Sequence, residues 1–231
     1  MRKMASLFLM LAVLFGAGGC SIDRNLRQKM LDYMNKKYDD TFTFLEETGG
    51  GVGSSRHDIL VSSGRFPNAQ ILVSHYPKTD TEEEHFSDNY VAFVFEDDVR
   101  LALTSATQTV YGDCRVFHRP APMPLGSDVG PETTLAQYLG NPSSHLSAVV
   151  FVGDEQVEDR DVLLEMFRKQ LKEQGICVGV TLLYVDPAEL PEITGESYNG
   201  YLQQNGQVTM RCDFLLDDQF EFVYMNWRNN E

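Results

Sequence analysis

The sequence predicts an α+β fold, a mixed and mostly antiparallel sheet with helices packed on it. Three observations carry that expectation. Cys177 to Val185 is apolar at nearly every position, as a strand buried on both faces must be, which places it centrally in a sheet. Near the C-terminus Val208, Met210, Cys212 and Phe214 alternate with Gln207, Thr209, Arg211 and Asp213, turn at Asp217-Asp218, and return through Phe220, Phe222 and Tyr224. That is an antiparallel hairpin with one face inward. Between such runs lie long stretches with apolar residues at helical spacing.

Along the chain, Ile22, Leu26, Met30, Tyr33, Met34 and Tyr38 recur at three- and four-residue steps, predicting an amphipathic helix over 22–38. Thr41-Phe42-Thr43-Phe44-Leu45 alternates and predicts a strand. The Gly-rich loop Gly49 to Ser55 follows, then strands near 57–62 and 69–76. Residues 79–88 are acidic and predict a surface loop. Tyr90-Val91-Ala92-Phe93-Val94-Phe95 has strong β propensity. Glu96-Asp97-Asp98 stands where helix starts prefer negative charge, and Val99, Leu101, Leu103, Ala106 and Val110 continue a helix to about Tyr111. Cys114 to His118 predicts a strand.

Four prolines and two glycines in residues 119–131 forbid a regular element and mark a possible internal boundary. Beyond it the pattern predicts a short helix at 132–139 and a strand at Leu146 to Val152. A helix from Asp159 to Lys172 follows, with Val162, Leu163, Met166, Phe167 and Leu171 on one face.

The N-terminus carries an address. Arg2 and Lys3 precede an uncharged stretch, Met4 to Gly16, rich in Leu, Phe, Met and Ala, the order of a secretory signal. About a dozen apolar residues fall short of the roughly 18 needed to span a bilayer. The small-residue exit Gly16-Ala17-Gly18-Gly19 then meets Cys20. This resembles the bacterial lipobox, departing from its usual form in having Ala17 three positions before the cysteine. The resemblance implies a signal peptide over 1–19, lipid on Cys20 and an extracytoplasmic domain over 20–231, a lipoprotein anchored on the outer face of the cell membrane. A diacylated, palmitate-type anchor supplies the two chains that stable attachment needs.

Two further passages, Tyr33-Met34-Asn35-Lys36-Lys37-Tyr38-Asp39-Asp40-Thr41-Phe42, and Asp88-Asn89-Tyr90 leading to Tyr111-Gly112-Asp113-Cys114, resemble uncharacterised small lipoproteins of Gram-positive bacteria. That group implies no activity.

The 231 residues carry a formal charge of −15. Loss of Arg2 and Lys3 with the signal makes the remainder more negative still, which argues against nucleic acid and against electrostatic docking on anionic lipid. Cys114, Cys177 and Cys212 each lie in an apolar run and predict inert buried thiols, although disulfides are permitted outside the cytoplasm.

Chemistry-bearing motifs are sparse. The glycine loop lacks the Gly-Lys-Ser/Thr ending of a phosphate cradle. Asp80, Glu82, Glu84, His85 and Asp88 lack the turn glycine of a calcium loop. His57, His75, His85, His118 and His145 show no zinc spacing, and there is no Gly-x-Ser-x-Gly elbow. Cys114 and His118 share a strand face but stand about 13 Å apart along it, while His57 and Asp58 point to opposite faces. No cofactor, metal or catalytic residue is therefore expected. The leading functional expectation is a non-enzymatic binding or envelope-associated module of unknown ligand. An enzyme acting on envelope polymers or peptides, and a solute-binding lipoprotein, are the rivals.

Overall fold

The computed structural model describes residues 23–50, 54–203 and 207–229. The signal segment, Cys20 and Gly51 to Gly53 of the glycine loop lie outside them. The chain divides into two compact units, one ending at Phe86 and one beginning at Ser87. The α+β expectation holds in both. No helix of the described residues is long and apolar enough to cross a membrane.

The first unit is one helix on a four-stranded sheet. Helix α1 (Arg24–Lys37) starts where the Asp23 carboxylate accepts the Asn25 N–H at 3.3 Å, and Lys36 and Lys37 fill its last turn, where the helix dipole favours cations. Strands β1 (Phe42–Gly49), β2 (His57–Ser63), β3 (Ile71–Tyr76) and β4 (His85–Asp88) follow in chain order across the sheet, with β1–β2 and β2–β3 antiparallel. Met30 and Met34 of α1 are buried with Phe42, Ile59, Val61, Ile71 and Val73. β1 runs past the expected Leu45, because a register shift between Phe44 and Glu46 leaves Leu45 as an extra, exposed residue before pairing resumes. The acidic segment is likewise not all loop, since its end forms β4.

In the second unit the clearest departure from expectation is Tyr90 to Phe95. The run is helical, as α2 (Tyr90–Val94), and leads into α3 (Glu96–Tyr111). Burial overrides its β propensity. Tyr90, Val91 and Ala92 are all buried, and the Asp88 carboxylate accepts the Tyr90 N–H at 3.0 Å, turning the chain into a helix.

The sheet of this unit comprises β5 (Cys114–His118), β6 (Ser147–Gly153), β7 (Gly179–Val185), β8 (Met210–Leu216) and β9 (Phe222–Asn229), in that spatial order. β6 and β7 are parallel and every other pair is antiparallel. The parallel pair is joined through helix α5 (Arg160–Glu173), because a parallel connection needs a crossover. As expected, β7 is central. The Pro-rich residues 119–131 form an irregular loop inside this unit, pinned to its start where Asn89 Nδ2 donates to the Ala121 carbonyl and Ser87 Oγ to that of Leu125. Helix α4 (Leu135–Gly140) follows, closed by a capping box between Thr134 and Gln137.

One sheet face carries Val116, Val150, Leu182, Cys212 and Phe214 and packs against α3 and α5. Phe167 of α5 sets its edge against both Tyr111 and Phe214. The buried side of α5 is Leu164, Phe167 and Leu171; Val162 and Met166 are 64% and 47% exposed, so the expected apolar face was rotated. With six apolar residues in that stretch, Leu164 among them, periodicity admits either face.

Candidate functional site

Among the described residues of this unit, the other face of the five-stranded sheet is covered at one end. There residues 190–193 and helix α6 (Tyr198–Gln203) bury Leu190, Ile193 and Tyr198 against Phe151, Leu183, Val185 and Val208. The remainder is open, and its layout follows from strand register. One row across the sheet runs Ser147, Gly179, Leu215, Tyr224, and the next Phe117, Val149, Thr181, Asp213, Asn226.

A cavity of about 330 Å³ lies across these rows, lined among others by Phe117, Arg119, Ser147, Gly179, Thr181, Tyr198 and Tyr224. That size falls in the range of small-molecule sites. Two larger hollows, of about 390 and 520 Å³, are lined by Tyr111, Asp113, Arg115, Glu155, Pro187 and Pro191 and mainly by loop residues 127–133 respectively; Tyr111 is buried, so neither presents an exposed aromatic ring. The sheet-face groove is therefore the candidate site.

Its two ends differ. Phe117 and Tyr198 stack with ring centroids 4.5 Å apart and planes 6° apart, and the Arg119 guanidinium lies over the Tyr198 ring at 5.2 Å. Tyr198, itself stacked on Phe117, thus holds Arg119 in place by a cation–π contact. At the far end Tyr224, on edge strand β9, is 51% exposed and offers its ring to solvent. Gly179 keeps the floor low, since a Cβ there would meet the Leu215 side chain at 3.5 Å and stand up into the groove.

Beside the floor a charged cluster is closed on itself. Asp213 accepts from Thr181 Oγ1 at 2.8 Å and from Arg211 Nε and Nη2 at 2.8 Å each, with Arg228 at 3.7 Å. Partial burial pushes the Asp213 carboxyl up, but the hydrogen bonds from Arg211 and Thr181 and the two arginine charges outweigh it and hold the group below its usual value. Behind the floor His118 is buried, its Nδ1 2.8 Å from the Ser147 carbonyl; burial pulls its pKa down, and the neutral ring donates that bond.

The sequence-selected residues fall mainly elsewhere. Cys114, Cys177 and Cys212 are free and buried as expected, and burial pushes their thiols up to about 11, 11 and 12. Cys114 and His118 share the helix-covered face. In the first unit Asp58 accepts from Ser74 Oγ at 2.6 Å and pairs with Arg56 at 2.8 Å, while His57 stacks on His75, 5.8 Å between centroids. Glu84 turns to His75 Nε2 at 2.9 Å, and His85 stacks on Tyr76. Among the described residues no three His, Cys, Asp or Glu side chains converge as metal ligands do.

Sequence reasoning passed over Phe117, Arg119, Gly179, Thr181, Tyr198 and Tyr224. A signal was present in β7, where Gly179 and Thr181 interrupt an apolar run at alternate positions, the pattern of a strand whose one face is approached by a ligand or another backbone.

No known protein family matches the chain, and no curated protein resembles it in sequence. Among solved structures it is similar to a crystal structure of a DUF5037 family protein from Ruminococcus gnavus ATCC 29149, at 12% identity and a TM-score of 0.38, over 72% of this chain and 78% of that one.

Proposed function

We propose that this protein is an extracytoplasmic lipoprotein, tethered to the membrane through Cys20, whose body is a binding module with its ligand site in the sheet-face groove. The observation that carries the reading is the groove itself. It combines a cavity of small-molecule size, a stacked arginine at one end, an exposed tyrosine at the other and a floor kept clear by glycine. The lipobox-like sequence around Cys20 supports the tether and puts the ligand outside the cytoplasm.

A photo-crosslinking residue at Ser147, exposed on the groove floor, tests the reading on intact cells when compared with one at Gln108 on the outer side of α3. The expected result is an adduct mass specific to the Ser147 position. Equal labelling at both positions, or none at either, contradicts a binding role for the groove.

A further inference from the structure

We infer that the groove takes a small organic anion, with its charged group at Arg119 and a ring against Tyr224. The inference rests on the binding-module reading and adds the chemistry of the ligand.

Charge distribution is the first argument. The second unit holds 23 Asp and Glu against nine Lys and Arg, yet Arg119, Arg211 and Arg228 all stand on or beside the open sheet face. Among the described residues Asp213 is the only carboxylate that a strand places on this face. It is shared by Arg211 and Arg228, so the cluster keeps one positive charge in excess. The segment covering one end of this face adds Glu189, Glu192 and Glu196, so the positive charge is local to the strand rows, where three arginines face one carboxylate and draw anions.

Arg119 is the second. No carboxylate of the described residues lies within ion-pair distance of it, whereas Arg27, Arg56, Arg100 and Arg168 each hold one at 2.7–2.8 Å. Its flat face is taken up by Tyr198, which leaves the N–H edge to meet a carboxylate or phosphate, the geometry in which guanidinium binds anions best.

The third is the far wall. From the end of β5, where Arg119 stands, to β9 is four strand spacings, about 19 Å at ~4.8 Å per strand, and Arg119 and Tyr224 both line the cavity between. Tyr224 stands at the far side with an exposed ring that meets no other aromatic ring among the described residues, a platform for a planar or sugar ring.

Titration calorimetry on the full chain tests this with two matched pairs, 4-hydroxyphenylacetate against its neutral amide and galacturonate against galactose. The acid of at least one pair is expected to bind at least ten-fold more tightly than its neutral partner, and which pair does so separates an aromatic from a sugar ring. Arg119→Gln should remove that preference, Tyr224→Ala should weaken the acid, and Arg100→Gln, on α3, should change neither. Added salt should weaken the acid alone. If acid and neutral partner bind equally, or Arg119→Gln retains the preference, the anion inference falls while the groove remains a binding site. If none of the four binds, both fall.

Discussion

The two units solve the same packing problem with different balances of charge. The first holds eleven Asp and Glu against ten Lys and Arg and pairs them internally: Arg27 with Glu47, Arg56 with Asp58, Lys78 with Glu83. The second holds 23 acidic residues against nine basic ones and still, among the described residues, leaves Arg119 without a carboxylate at ion-pair distance. Connectivity differs as well. The first sheet is joined strand to next strand, while the second needs a helical crossover between β6 and β7 and a long loop between β5 and β6. Two faces of the second sheet therefore differ in kind, one sealed by α3 and α5 and one half open, and Arg119, Arg211 and Arg228 stand on or beside the open one.

Perturbing the sealed face should have the largest effect. Phe167→Ala removes a fully buried ring that touches Tyr111 and Phe214, and should lower unfolding free energy by about 3–5 kcal/mol in urea titrations. A loss under 1 kcal/mol would show that this face is not tightly packed.

Next comes a contrast between two hydrogen-bonded carboxylates. Asp58→Ala in the first unit leaves the buried Ser74 Oγ without its acceptor, removes the partner of the exposed Arg56, and should cost about 1–3 kcal/mol. Asp213→Ala acts at a more exposed site and should cost less than about 1 kcal/mol. Equal losses would erase the distinction between a structural pair and a surface cluster.

Smaller still is the dependence on pH. His118 is held neutral by burial, so its contribution to stability is complete above the unfolded value near 6.5 and declines as pH falls through it. Asp213 has a lowered pKa, so its contribution is present above about pH 4, the unfolded carboxyl value, and is lost as pH falls through its folded one. His118→Gln should flatten the stability curve between about pH 6.5 and 5, and Asp213→Asn should flatten it only below about pH 4. Curves that coincide with the unsubstituted protein would contradict these assignments.

The smallest expected signal is from the thiols. With pKa values raised to about 11 or 12 by burial, Cys114, Cys177 and Cys212 should resist alkylation at pH 8 in the folded protein and react only after denaturant. Rapid labelling of any one of them in the folded state would show that its strand opens.

Much of this fold was legible because its strands alternate and its helices carry one apolar stripe. β8 reads buried and half-buried at every second residue, as its sequence does. The departures have physical causes. Tyr90 to Val94 is helical because burial and the Asp88 bond outweigh propensity. The outward position of Val162 and Met166 could not be read from a helix with apolar residues on several sides. The groove was nearly illegible, because Phe117, Tyr198 and Tyr224 come from three distant segments and meet only through the register of the sheet. Only the Gly179 and Thr181 interruptions in β7 pointed to it.

The most direct test of an outward-facing, tethered binding module is intact mass with membrane fractionation of the native chain and Cys20→Ser in a bacterial host. The account predicts that the native protein sediments with membranes, begins at Cys20 and carries lipid mass, and that Cys20→Ser is released. A native chain recovered soluble and without lipid, or a Cys20→Ser chain retained in full, would contradict it.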